Sequence, residues 1–384
     1  MSDKLPINKD ILVWARTSLG LSIADVAAKL KREEAEITAW ESGVQSPTYI
    51  QLEKLAYSVY KRPVAVFFFP DIPKEASPKT DFRTLPDTEI ENLPAQIIKI
   101  YRKAKAFQYN LAELYEGQKP IDNSIIDTIR INENSNIAAV ATEIRELLNV
   151  SIDEQFAWQS ADAAFKAWRQ KLEKLGIFIF KDAFKDNSYS GFCLYNKLYP
   201  VIYVNNSMPD TRQIFTLFHE LGHLLFHAGG IDFYTSEVTN RFLGNYLKIE
   251  KICNELAAKI LVPDSFIDLH KGAFSERIIE GYAGQFSVSR EVILRKYFDA
   301  RVISKNDYEA FVKKWQKEQA NKKQKSGGNY HLTQKAYLGE NYINLAYRKY
   351  YQHKISDSQL SEYLNIKPKN ILNFEHHVLN AGAR

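Results

Sequence analysis

Apolar positions recur at helical spacing in short runs from the start of the chain to residue 70. Ile11, Leu12 and Ala15 line one face. Val26, Ala27 and Leu30 continue a second helix that opens at Ser22, with Asp25 three residues on in the arrangement of a capping box. Ile37 and Trp40 mark a third helix, stopped by Gly43, and Leu52, Leu55, Ala56 and Val59 a fourth behind Pro47. Pro70, Pro73, Pro78, Pro86 and Pro94 then predict an irregular connector. Helices are predicted over 95–116, 136–148 and 161–175. Gly176 ends the last of these, and the period shortens: 177–180, 191–195 and 201–204 are β-branched or aromatic runs between turn residues, the pattern of a small antiparallel sheet. A long helix over 210–227, a polar glycine-containing loop over 228–245 and a helix over 247–261 follow. A Tyr-rich helical region closes the chain. No internal repeat is evident, and no glycine-rich phosphate loop.

The pattern gives an α+β fold, mainly α, in four parts: residues 1–70, a connector and helical linker over 71–135, a mixed region over 136–300 and a helical accessory region over 301–384. The length of 384 residues suits two to four domains, and 45% apolar residues suffice for real cores. Two cysteines exclude a disulfide framework and fit a reducing cytosol. The longest apolar run, Val64–Phe69, is far too short to span a bilayer, so no membrane partner and a cytoplasmic location are expected. A charge of +5, from 51 Lys and Arg against 46 Asp and Glu, implies no nucleic acid without a local patch. The Lys-rich stretch 313–325 reads as a solvated helix face and linker.

The chemistry concentrates in His219-Glu220-Leu221-Gly222-His223, an H-E-x-x-H. Positions i and i+4 of a helix project from one face a turn apart, so two imidazoles can share one Zn²⁺, with the Glu beside it as a base for water. The helix is otherwise almost wholly apolar. Its polar residues Arg212, Thr216, His219, Glu220, His223 and His227 fall within an arc of about 100°. Such a stripe on a buried helix needs partners. His227 is eight residues from His219, about 12 Å along a helix, too far for both to bind one ion, and is expected beside the site or in the core. The expected third ligand is Glu250. Asn254, one turn on, is placed to hold the second nitrogen of a ligand histidine. Glu255, the competing carboxylate, is expected to face solvent, and Cys253 to be a buried hydrophobe.

The stretches 212–227 (RQIFTLFHELGHLLFH) and 250–263 (EKICNELAAKILVP), with 191–205 and the turn Leu175-Gly176-Ile177, resemble the ImmA/IrrE family of bacterial metallopeptidases. Residues 1–70 resemble an N-terminal helix-turn-helix of the phage-repressor (XRE) type. The resemblance implies a gluzincin-like fold with zinc on His219, His223 and Glu250 and with Glu220 as base. It also implies cleavage of a repressor or other regulator protein in response to stress or a mobile element. Arg212, Tyr234 and His270 are candidates for holding the oxyanion, and the strand 191–195 for pairing with a substrate peptide. Two rivals are a transcription regulator or antitoxin-like binding protein that uses the zinc fold as a scaffold, and a purely structural zinc domain.

The helix pair Ser22–Leu30 and Glu33–Glu41 departs from a DNA reader. Residues 22–45 hold Lys29, Lys31 and Arg32 against Asp25, Glu33, Glu34, Glu36 and Glu41, and such a surface repels phosphate. Residues 1–70 are therefore expected to bind DNA only weakly and to contact a protein, either a second copy or the substrate.

Overall fold

The computed structural model describes residues 5–60, 62–73, 78–82, 87–233, 245–272, 274–320 and 330–379. They fall into two compact units, one of residues 1–81 and 85–105, the other of 82–84 and 106–384. No helix among the described residues is long and apolar enough to cross a membrane.

The first unit is built on helices α1 (Lys9–Thr17), α2 (Ile23–Leu30), α3 (Glu34–Ser42) and α4 (Tyr49–Lys54). Ser22 and Asp25 close the capping box at the start of α2. Ile11, Leu12, Ala15, Val26, Ala27, Leu30, Ile37 and Trp40 are buried. The carboxylates of α3 are less free than their number implies. Both Arg16 nitrogens Nε and Nη2 donate to Glu41, at 2.8 and 2.9 Å, and Arg32 donates to Glu36 at 2.8 Å. Of the expected repulsive row, Glu33 and Glu34 remain as exposed charges with no ion pair among the described residues. The pairing of α1 with α3 through Arg16 is a tertiary fact that a charge count over one segment misses. Helix α5 (Ala95–Leu114) follows, belonging to this unit up to residue 105 and to the second from Ala106 on.

The second unit contains α6 (Ile137–Leu148), α7 (Ile152–Ala157), α8 (Ala161–Lys174), β1 (Phe178–Asp182), β2 (Tyr189–Leu194), β3 (Val201–Asn205), α9 (Asp210–Leu225), β4 (Gly230–Phe233) and α10 (Asn245–Leu261). Gly176 ends the turn after α8 at φ +87°, a conformation with no Cβ penalty only for glycine. Then come α11 (Asp264–His270), α12 (Glu276–Phe286), α13 (Arg290–Asp299), α14 (Lys305–Ala320), α15 (Tyr330–Leu338), α16 (Glu340–Tyr351), α17 (Asp357–Tyr363) and α18 (Ile371–Leu379).

Two sequence expectations about the sheet are corrected. It is mixed, not antiparallel: the order is β1-β3-β2-β4, with β1 parallel to β3 and the other pairs antiparallel. The β2–β3 hairpin returns so that β3 lies between β1 and β2, a placement no local pattern encodes. The stretch expected to be a polar loop supplies the fourth strand, β4, which pairs Ile231 with Phe192 and Gly230 with Cys193. Both sheet faces are covered. Ile179, Cys193, Ile202 and Val204 join the core around α9, while Phe107, Phe180, Phe192 and Tyr203 form an aromatic layer in which Phe107 stacks on Phe180 at 4.5 Å. Two-sided burial explains why β3 reads as a continuous apolar run.

Helix α9 lies against the sheet and is packed by α8 and α10, and α10 in turn by α6. The end of α10 is held by a buried cation. Arg145 of α6 donates to the Ile260 carbonyl at 2.7 Å, to the Val150 carbonyl at 3.0 Å and to Gln155 Oε1 at 2.9 Å. Gln155 Nε2 donates to the Leu261 carbonyl at 3.0 Å. Burial pulls Arg145 down to about 10, but the charge suits the negative end of the helix dipole. Replacing it leaves two buried carbonyls unpaired. Arg145→Ala should cost about 2–4 kcal/mol of stability, measured as a lowered urea midpoint. A midpoint equal to that of the wild type would show that these contacts do not hold α10.

Candidate metal centre

The polar stripe of α9 is dictated by helical periodicity, and the fold buries its middle, Thr216, His219, Glu220 and His223, while Arg212 and His227 at its ends are half-buried. His219, Glu220 and His223 are at most 1% exposed and Glu250 3%. Three donor atoms converge. His219 Nε2 and His223 Nε2 are 3.2 Å apart, and the Glu250 oxygens lie 3.3 Å from His219 Nε2 and 3.1 Å from His223 Nε2. Three electron-rich atoms at such separations repel unless a cation or a proton sits among them. Tetrahedral coordination with arms of about 2.0–2.1 Å places neighbouring ligand atoms about 3.3 Å apart, so the donor set fits a small divalent ion. These three residues form the described group able to hold a metal. Glu250 Oε1, His223 Nδ1 and both carboxylate oxygens of Glu220 are buried without a hydrogen-bond partner among the described residues.

Close approach of α10 to α9 brings Glu250 in. At Gly222 a Cβ would meet Cys253 Sγ at 2.9 Å and its Cα at 3.2 Å. Small size at 222, beside the alanines at 257 and 258, is the signal that this helix contact leaves in the sequence. On the other side the backbone of β4 lies on His223, since a Cβ at Gly230 would sit 2.5 Å from the imidazole Cγ. Asn254 Oδ1 accepts from His219 Nδ1 at 3.0 Å, which leaves the lone pair of Nε2 directed at the cluster. Glu255 is on the exposed side of α10, 3.6 Å from Lys259, and Cys253 is fully buried.

Electrostatics follow from burial. Desolvation would lower His219, but the carboxylates of Asp232 and Glu250 overcome it and raise the group to about 9. Desolvation would raise Glu250, but His223 and His219 hold it below the usual carboxylate range. Glu220 is pushed well above that range by burial.

Other expected site residues lie elsewhere. Arg212 is engaged with Asp232, at 2.6 and 2.7 Å, and with Ser190 Oγ at 2.9 Å, so its guanidinium is committed within the fold. Asp232 also accepts from Thr216 at 3.0 Å. His270 Nδ1 lies 2.7 Å from the Phe266 carbonyl of its own helix, and its ring stacks on Phe266. His227 takes a left-handed conformation just past α9, with Nε2 3.3 Å from the Ile126 carbonyl and its ring on Tyr195. Tyr234 lies outside the described residues. The strand β2, expected to present an edge, is paired on both sides; the sheet edges are β1 and β4. Sequence reasoning misses Asp232 and the buried Tyr246, whose phenol is raised by burial and by the Glu250 carboxylate. No motif marks either of them.

The family model described as the IrrE N-terminal-like domain, of peptidase family M78, matches residues 172–297. The matched span contains the sheet, α9 and α10, and it supports the likeness to the ImmA/IrrE metallopeptidases. No curated protein gives a significant match to the chain.

Asn254→Ala should weaken metal binding about 10–100-fold in a competitive chelator titration, because the His219 tautomer is no longer held. Unchanged affinity would remove Asn254 from the centre. Metal must also displace the proton that His219 carries below about 9. Apparent affinity should therefore fall about tenfold for each pH unit below that value, where one proton is released per ion. A flat profile between pH 6 and 8 would contradict this.

Proposed function

We propose that the chain is a zinc-dependent endopeptidase that cleaves a specific regulator protein, of repressor-like type. One observation carries the reading: a carboxylate base, Glu220, is buried next to a His219–His223–Glu250 donor set whose spacing matches tetrahedral coordination. The match of residues 172–297 to a peptidase family supports it.

His219, His223 and Glu250 would hold the ion. When bound, zinc supplies Lewis acidity for a peptide carbonyl and makes water a better nucleophile at neutral pH. Glu220 takes the proton of the attacking water and returns it to the leaving amine. Neither of its oxygens is taken up by a strong hydrogen bond among the described residues, and burial raises its affinity for a proton. Asn254 orients His219. Strand β4, which lies on His223 through Gly230, is the sheet edge beside the centre and the place for an extended substrate. Residues 1–70 serve partner recognition.

A second reading, a non-proteolytic regulator that uses the metal centre as scaffold, is favoured by the near-complete burial of all four residues. One variant separates the two. Glu220→Gln keeps the shape and removes the base, so zinc content should stay at about one ion per chain while cleavage falls about 10²–10⁴-fold. The check is a comparison of new protein N-termini in cells expressing the wild-type protein or the Glu220→Gln variant. The same set of N-termini in both would remove the peptidase and leave the scaffold.

A further inference from the structure

The last described helices repeat the first ones. When Thr17 is set on Tyr351, where both helices end, α1 (Lys9–Thr17) falls on the second part of α16, and the same constant shift carries the match onward without a gap. Helix α2 falls on α17. Ser22 and Ser356 are both N-caps, with ψ of 166° and 167°, and each closes a capping box with the residue three positions on, Asp25 or Gln359. Lys31 and Asn365 both turn the chain in the left-handed region, at φ 56° and 50°. Glu33 caps α3, and Lys367 caps the 3₁₀ turn Pro368–Asn370 that leads into α18, with φ, ψ of −80°, 145° and −73°, 144°. The core repeats as well: Leu12 and Ala346, Val26 and Leu360, Leu30 and Leu364, Ile37 and Ile371, Trp40 and Phe374 are buried pairwise. Even the glutamate near the end of the last helix repeats. Glu41 is bonded back to Arg16 of the first helix of its set, and Glu375 to Tyr351. Over the span only Ser22/Ser356, Leu30/Leu364, Ile37/Ile371 and Glu41/Glu375 are identical, so the repeat is absent from a sequence comparison and present in caps, turns and burial.

The copies differ in charge where a helix-turn-helix meets its ligand. The opening of the third helix carries Glu33, Glu34 and Glu36 in the first copy. The matching positions in the second are Lys367, Pro368 and Asn370, with Lys369 where the first copy has Ala35. Lys367 and Lys369 are exposed and have no ion pair among the described residues. One turn further, Leu372 is 78% exposed, and Asn373 and His376 continue the same exposed face. Glu375, the half-buried acidic residue between them, is bonded by the exposed Tyr351 hydroxyl. Lysines at the helix start suit phosphates, and an exposed stripe of Lys369, Leu372, Asn373 and His376 suits the base edges and thymine methyls of a major groove.

We propose that residues 343–376 form a second helix-turn-helix and that this copy, not the N-terminal one, binds duplex DNA. The proposal is independent of the metal centre. The N-terminal copy, with Glu33 and Glu34 at the same place, takes no part in the contact.

The test uses the full chain and a pool of randomised 30-base-pair duplexes, selected at about 100 mM salt, followed by anisotropy titrations of the recovered duplex against salt. Enrichment of a duplex is expected. Lys367→Gln/Lys369→Gln should lower the slope of log affinity against log salt by about 2 and weaken binding roughly tenfold or more. Lys367→Arg/Lys369→Arg should keep the slope. Leu372→Ala should keep the slope and change the recovered sequence. Glu33→Gln/Glu34→Gln should leave binding unchanged, and circular dichroism and metal content check that every variant is folded. Failure of the selection to enrich any duplex would overturn the proposal. So would wild-type binding by the Lys367→Gln/Lys369→Gln variant, or a change in binding on neutralising Glu33 and Glu34.

Discussion

Mutual repulsion of three lone pairs is the constraint around which the second unit is organised. His219, His223 and Glu250 present their donor atoms to one another at 3.1–3.3 Å in a site closed to solvent. Such a cluster is stable only when positive charge sits in it, and only when the elements carrying it cannot relax apart. The surrounding fold prevents relaxation on every side. The Gly222–Cys253 contact sets the distance of α10, Arg145 holds the end of that helix, and β4 presses its backbone on His223. Asp232, gripped by Arg212 and Thr216, ties β4 to α9 and adds negative potential near His219.

What the sequence reveals of this arrangement is what local periodicity can carry. His219 and His223 stand a helical turn apart, Glu250 and Asn254 likewise, and the cap at Ser22 marks a helix start by side-chain chemistry. Pairings between distant segments are not legible. Arg212 reads as a candidate for the oxyanion because its partner, Asp232, lies in a separate stretch with the pattern of a polar loop. That stretch becomes a strand because β2 offers it a ladder, not because its own residues favour extension. Glu36 and Glu41 count as repulsive charges along the sequence, and the fold sets Arg32 and Arg16 on them. The order of the sheet depends on which edge β3 meets, and side-chain alternation is silent on that.

The two three-helix sets illustrate the same division of information at larger scale. Backbone turns, caps and core sizes recur between residues 9–42 and 343–376, while surface residues do not. A core accepts Trp40 or Phe374, and Val26 or Leu360, because only volume and apolarity are required of it. The exposed helix start is under no such requirement, and it carries glutamates in one set and lysines in the other. Fold and surface charge are thus specified by different residues of the same short segment.

The junction of α9 and α10 has a thermodynamic consequence. The ion that the three donors would hold is bound only when both helices are docked, since His223 and Glu250 belong to separate helices and leave no preformed site in the unfolded chain. Occupancy and folding are then linked by mass action. Free metal at a hundred times its dissociation constant stabilises the native state by about 2.7 kcal/mol, a large part of the margin of an ordinary domain. With an ion bound there, the thermal stability of the second unit would be tied to the free-ion concentration of the medium, and a chelator would act as a mild denaturant.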